Sequence, residues 1–129
     1  MPRPFSLQRL DHIVLRVSDL PRMMAFYLDV IGCEVEKETS HSGLTQLRAG
    51  ASLIDLVRVE TPRSGGDNLD HFCLTIEPYN EVALREWLTS HDAPVSDTGV
   101  RHGAEGDGPS IYTRDPEGNT IELKQRLDT

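Results

Sequence analysis

No run of apolar residues in this 129-residue chain approaches the ~20 that a helix needs to cross a bilayer. The opening stretch, Met1–Leu10, is short and basic but lacks an apolar h-region, so it does not read as a secretory leader. Cysteine is scarce. Cys33 and Cys73 are the only two, they form no CxxC pair, and both sit in apolar runs. That context predicts two small core hydrophobes rather than a disulfide or a thiolate ligand. Clusters of basic residues are missing as well, and the net charge is −8. The counterion release that drives nucleic-acid binding is then weak, which excludes a broad nucleic-acid groove while leaving room for a locally positive pocket. These absences together predict a reduced, cytoplasmic protein with neither membrane nor nucleic acid as a partner.

What is present is the balance of an ordinary globular domain, 37% apolar and 26% charged. The strongest pattern is internal. Residues 10–17 read LDHIVLRV and residues 69–76 read LDHFCLTI, 59 positions apart. Each alternates apolar and polar residues with β-branched enrichment, the signature of a half-buried strand. A second echo pairs SLIDLV (52–57) with NTIELK (119–124), each placing one acid between Ile and Leu. Alternation puts that acid on the face opposite its apolar neighbours, so Asp55 and Glu122 are singled out.

A helix candidate follows each His strand. Ser18 or Asp19 can cap the first, Pro21 suits its first turn, Met23, Met24, Tyr27, Val30 and Ile31 make its apolar stripe, and Gly32 closes it. The second opens at Pro78, with Val82, Leu84, Trp87 and Leu88 as its face. Strands are expected at Cys33–Thr39, Gly43–Arg48, Ala51–Val59, Val95–Thr98, Ser110–Arg114 and Thr120–Gln125. The predicted order is β-α-β-β-β, twice, in one domain with modules at 8–60 and 68–127 and a linker at 61–67. The Gly-rich stretch Gly99–Pro109 reads as a loop. With no Gly-Lys-Ser/Thr and helix behind it, it is not a phosphate-binding loop.

Repeats of this size pack with approximate two-fold symmetry, which would bring His12 to His71 and Asp55 to Glu122. Imidazole with carboxylate suits a divalent metal, and two His with one carboxylate leave positions open for water and substrate. Strand alternation turns Asp11 and Asp70 away from the His face, which predicts solvent-facing residues or turn caps. His41, His91 and His102 have no repeat partner. Of these, His102 is the best placed for a substrate contact.

The segments LDHIVLRVSDL, AFYLDVIGCEVEKE, DHFCLTIE and SIYTRDPEGNTIELK, together about residues 8–126, resemble the vicinal oxygen chelate superfamily. That superfamily includes glyoxalase I, fosfomycin-resistance enzymes, methylmalonyl-CoA epimerases and extradiol dioxygenases. The likeness is greatest to the glyoxalase-domain-containing protein five group and related bacterial virulence-associated proteins. The resemblance implies an α+β fold, with paired βαβββ modules forming a curved, barrel-like mixed sheet and helices outside. It implies homodimers, with modules pairing within or across chains, and a small-molecule substrate. It places the ligands of one divalent metal ion (Zn, Ni, Mn or Fe) on His12, His71 and Glu122, and puts Asp55 where glyoxalase I has a glutamate able to act as base. Arg16 matches an arginine that contacts the glutathione carboxylate, but Val59 replaces the asparagine that accompanies it. Tyr112 matches a tyrosine of the fosfomycin enzymes. The implied activity is a glyoxalase I-like lyase or isomerase stabilising an enediolate on the metal. The alternatives are an Fe(II) extradiol-type dioxygenase, a thiol transferase of the fosfomycin-resistance type, or a non-catalytic drug-binding protein.

Overall fold

A computed structural model describes residues 8–39, 43–60 and 69–127. The chain divides into two compact units, Met1–Arg63 and Ser64–Thr129. The predicted linker, 61–67, and His41 lie outside the described residues.

The first unit runs β1 (His12–Val17), α1 (Leu20–Ala25), β2 (Glu34–Thr39), β3 (Leu44–Ala49) and β4 (Ser52–Arg58). Its sheet has the order β1-β4-β3-β2, with β1 parallel to β4 and the other pairs antiparallel. The second unit repeats the plan: β5 (Phe72–Ile76), α2 (Glu81–Ser90), β6 (Asp97–Gly103), β7 (Gly106–Arg114) and β8 (Thr120–Gln125), in the order β5-β8-β7-β6. The α+β class and the doubled βαβββ order therefore hold, built as two four-stranded mixed sheets.

Alternation sorts each sheet into two faces. In the first unit Leu15, Val17, Leu47, Ile54 and Leu56 are buried, as are Met23, Phe26 and Tyr27 of the helical segment. Asp19 caps α1 by accepting the Arg22 N–H, and the helix continues as a π-helical stretch, Phe26–Ile31, ended by Gly32 at φ 95°. Only a residue without Cβ takes that left-handed turn at no cost. In the second unit Ile111, Ile121 and Leu123 are buried on one face. β4 and β8 sit inside their sheets, flanked on both sides, so their polar members are buried too: Asp55, Glu122 and Lys124 are 3%, 6% and 6% exposed.

Several expectations need correction. The second helix starts at Glu81, not Pro78, because Asn80 supplies the cap by accepting the Ala83 N–H at 3.0 Å. Its apolar face is narrower than expected: Leu88 is buried, whereas Val82 and Trp87 are 69% and 47% exposed. Asn80→Ala should lower stability by about 1 kcal/mol through loss of that cap, read by urea denaturation. The stretch Gly99–Pro109 is no loop. It forms most of the β6–β7 hairpin, paired from Gly99↔Ser110 to Gly103↔Gly106. Cys33 is buried as expected, but Cys73 is exposed, because β5 pairs it with Glu122 on the polar face.

Candidate metal centre

Each unit presents one histidine beside one buried carboxylate. In the first, β1 and β4 pair in parallel with Val14 opposite Asp55, so His12, Arg16 and Asp55 share a face by the two-residue period. Asp55 is deep in the sheet. Its Oδ2 accepts a long 3.4 Å contact from Gln46 Nε2, and its Oδ1 is buried with no hydrogen-bond partner. Such an atom carries a desolvation cost that a proton or a cation would relieve. Arg16 is exposed on the same strand.

In the second unit Glu122 is held from several sides. Ser110 Oγ donates to its Oε2 at 2.7 Å, and His71 Nε2 lies 3.2 Å from its Oε1. Burial pushes the carboxyl upward, but the hydrogen bonds from Ser110 and Tyr112 and the charge of His71 outweigh it, so Glu122 sits below the usual range for its type. Tyr112 is the register partner of Glu122, its ring meets His71 edge-on at 5.7 Å, and the Arg101 guanidinium lies 5.5 Å from the same ring.

Both histidines are gripped from behind. Asp11 Oδ2 lies 2.7 Å from His12 Nδ1, and Asp70 Oδ2 lies 2.7 Å from His71 Nδ1. The two aspartates do face solvent, as alternation suggested, yet their carboxylates turn back to the rings. The hydrogen bond to Asp11 raises the His12 ring above its ordinary value, outweighing desolvation, with the charges of Asp55 and Asp11 adding to it. A carboxylate on Nδ1 fixes the proton there and leaves the Nε2 lone pair outward, the arrangement common behind metal-ligating histidines.

The His71 ring also provides a test of fit. It faces a carboxylate from each nitrogen, Asp70 on one side and Glu122 on the other, and a neutral imidazole can donate to only one of them. The second contact requires either a second ring proton or a cation between Nε2 and Glu122. Two ligands each ~2.1 Å from one ion would be roughly 3.0 Å apart at a right angle and about 3.4 Å at the tetrahedral angle. The observed 3.2 Å falls between them. Within either unit, among the described residues, no set of three such side chains is gathered, so each unit supplies a histidine–carboxylate pair and not a full ligand set.

His102 lies in β6 and not in a loop. It is 82% exposed at the side chain and paired with Asp107 at 2.7 Å, yet it borders a cavity of about 310 Å³ in the second unit. The other borders of that cavity include His71, Cys73, Glu122 and Lys124. Although Cys73 is exposed, partial desolvation in the strand, with the charge of Glu122 added, pushes its thiol up to about 11. His91 is the C-cap residue of α2, its ring against Trp87 at 4.1 Å between centroids. Sequence reasoning passed over Lys124, Ser110 and Arg101. Lys124 could have been read from the same alternation that singled out Glu122, two residues earlier on β8.

Among known proteins, the chain is 34% identical over 128 residues to the Virulence protein STM3117 of Salmonella typhimurium, covering 92% of this chain and 85% of that one. The crystal structure of that protein superposes with a TM-score of 0.77 at 26% identity, over 95% of this chain and 100% of the other. A lactoylglutathione lyase from Agrobacterium tumefaciens gives a TM-score of 0.67 at 25% identity, over 95% and 96%. Metallothiol transferase FosB of Staphylococcus saprophyticus is 26% identical, over 95% of this chain and 83% of its own. No helix among the described residues is long and apolar enough to cross a membrane. The profile of the Glyoxalase/Bleomycin resistance protein/Dioxygenase superfamily matches residues 9–123, nearly the full length, and the chain belongs to that superfamily.

Proposed function

We infer that the chain is a metal-dependent enzyme of the glyoxalase I type, a lyase or isomerase acting on a small molecule. His12, His71 and Glu122 would hold one divalent ion, the two modules 8–60 and 68–127 each giving part of the set, within one chain or across a homodimer. The observation that carries this is the His71 ring, locked at Nδ1 by Asp70 and facing Glu122 from Nε2, repeated in the first unit by Asp11 on His12. A divalent ion bound there would act as a Lewis acid on vicinal oxygens of a substrate.

The chain's own groups divide the remaining work. Both Glu122 oxygens are engaged, by Ser110 and by His71, which suits a fixed ligand. Asp55 has one buried oxygen without a partner and one weakly held. It is the carboxylate free to take a proton from a carbon next to a carbonyl and to return it. Arg16 and Tyr112 lie on the same faces as the ligand pairs and would orient the substrate, with His102 at the margin.

The test is metal titration followed by turnover of methylglyoxal with thiols. One ion per site with metal-dependent turnover is expected. Asp70→Ala should weaken metal binding by roughly 10–100-fold without unfolding the protein, the effect of losing an outer-shell partner. Turnover persisting in both His12→Ala and Glu122→Ala would overturn the reading. Bound iron with oxygen uptake on catechols would instead favour a dioxygenase.

A further inference from the structure

Lys124 is the unusual residue of the second unit. It is 6% exposed and its backbone sits in the ladder between Thr75 and Ser110, yet its side chain forms no ion pair or hydrogen bond with any described residue. The stem is what is buried, while the ammonium keeps access to solvent at a cavity of the second unit. Its side chain lies across two glycines of the β6–β7 hairpin. A Cβ at Gly103 would come within 3.0 Å of Lys124 Cε, and one at Gly108 within 3.1 Å of Nζ. The glycines are therefore what make room for the stem. The ammonium borders the 310 Å³ cavity already described, at the small end of the usual range for small-molecule sites.

The carboxylates around that cavity are occupied elsewhere. Glu122 is taken by Ser110 and His71, and Glu105 Oε1 accepts the Leu127 N–H at 3.1 Å. Asp107 is paired with His102. The strand period puts Lys124 on the same face as Glu122, roughly 7 Å further along β8. A molecule with its oxygens at the His71–Glu122 pair would extend its next group toward the ammonium.

We propose that Lys124 is the anchor for an anionic group, a carboxylate, on the substrate of this cavity, so that the chain acts on small carboxylic acids. That the bound acid is a substrate rests on the function proposed above. That the ammonium selects a carboxylate rests on the second unit alone. The glycine floor leaves room for Lys124 to face the cavity from β8, and its three N–H donors suit a carboxylate.

The experiment is an NMR titration of metal-stripped protein with benzoate and with its neutral counterpart, benzamide. Wild type should bind benzoate about tenfold more tightly than benzamide, the scale of a charge-assisted contact. Lys124→Met, which fills the same slot without charge, should bring the two to parity, and Lys124→Arg should keep part of the preference. Gly108→Ala, which crowds Nζ, should reduce the preference while Lys124 remains present. Equal preference in wild type and Lys124→Met, or no binding of benzoate to wild type, would overturn the proposal. Metal titration of Lys124→Met separates the two readings. Retained metal binding with lost carboxylate preference supports this one, whereas absent metal binding in wild type would count against the metal centre only.

Discussion

Glu122→Gln should abolish tight metal binding and, with it, turnover. The substitution keeps the volume of a side chain that is 6% exposed, and its amide oxygen can still accept from Ser110. What disappears is the charge and the oxygen that faces His71. His71 Nε2, now 3.2 Å from Glu122 Oε1, would meet an amide in place of an anion. Outer-shell partners are worth roughly 10–100-fold in metal affinity, and a direct ligand should exceed that range. The check is a competitive metal titration against a chelator, with far-UV circular dichroism showing that the sheet persists. Metal affinity within threefold of wild type would show that Glu122 is not a ligand. Asp55→Asn supplies the contrast. If Asp55 moves the proton, this variant should keep most of its metal affinity and lose turnover, which separates holding the ion from performing the chemistry.

How much of this was legible in the sequence depends on which rule governs each residue. Strand periodicity identified β1, β4, β5 and β8, and with them the buried acids Asp55 and Glu122, because a polar residue between two apolar ones in a strand must lie on the other face. Capping logic offered Ser18 or Asp19 for the start of the first helical segment, of which Asp19 is the cap, and placed Gly32 at its end. The same periodicity turned Asp11 and Asp70 to solvent, as found, but did not read their bonds to the histidines. β1 begins at His12 and β5 at Phe72, so both aspartates lie outside the strands, where alternation no longer directs a side chain. Each bends back to its histidine instead. Glycine misled for a different reason. A Gly-rich stretch ordinarily marks a loop, but Gly103 and Gly108 lie in strands because their missing side chains leave space for Lys124. That requirement comes from a residue about twenty positions away, which no local rule reads. The second helix shows the limit of a stripe argument. Val82 and Trp87 fit the period but remain exposed, since a helical face is buried only where something packs on it.

Asp115→Ala should be among the most destabilising single changes outside the apolar core. Asp115 is 5% exposed and gathers the β7–β8 turn around its carboxylate. Oδ1 accepts the N–H groups of Glu117 and Asn119, both at 2.9 Å, and Oδ2 accepts the Asn119 side-chain amide at 2.7 Å. Backbone bonds from Asp115 N to Asn119 O and from Gly118 N to Asp115 O close the same turn, with Gly118 at φ 88°. Truncation leaves buried donors without acceptors, each costing about 1–3 kcal/mol, and relaxation of the turn recovers part of that, so a net loss of about 3 kcal/mol is expected. At roughly 3–4 °C per kcal/mol for a chain of this size, Tm should fall by about 10 °C. Asp115→Asn should cost less, because one carbonyl oxygen still accepts from the backbone while its NH₂ opposes the amide of Asn119. A fall in Tm under about 2 °C for the alanine variant would show that the turn is held by its backbone bonds alone. The consequence reaches the site through register. β7 and β8 leave this turn paired as Arg114↔Thr120 and then Tyr112↔Glu122, so a loosened turn frees the strand end that carries Glu122. Amide exchange in β8 should therefore quicken in Asp115→Ala, and its metal affinity should fall although no proposed ligand has been touched.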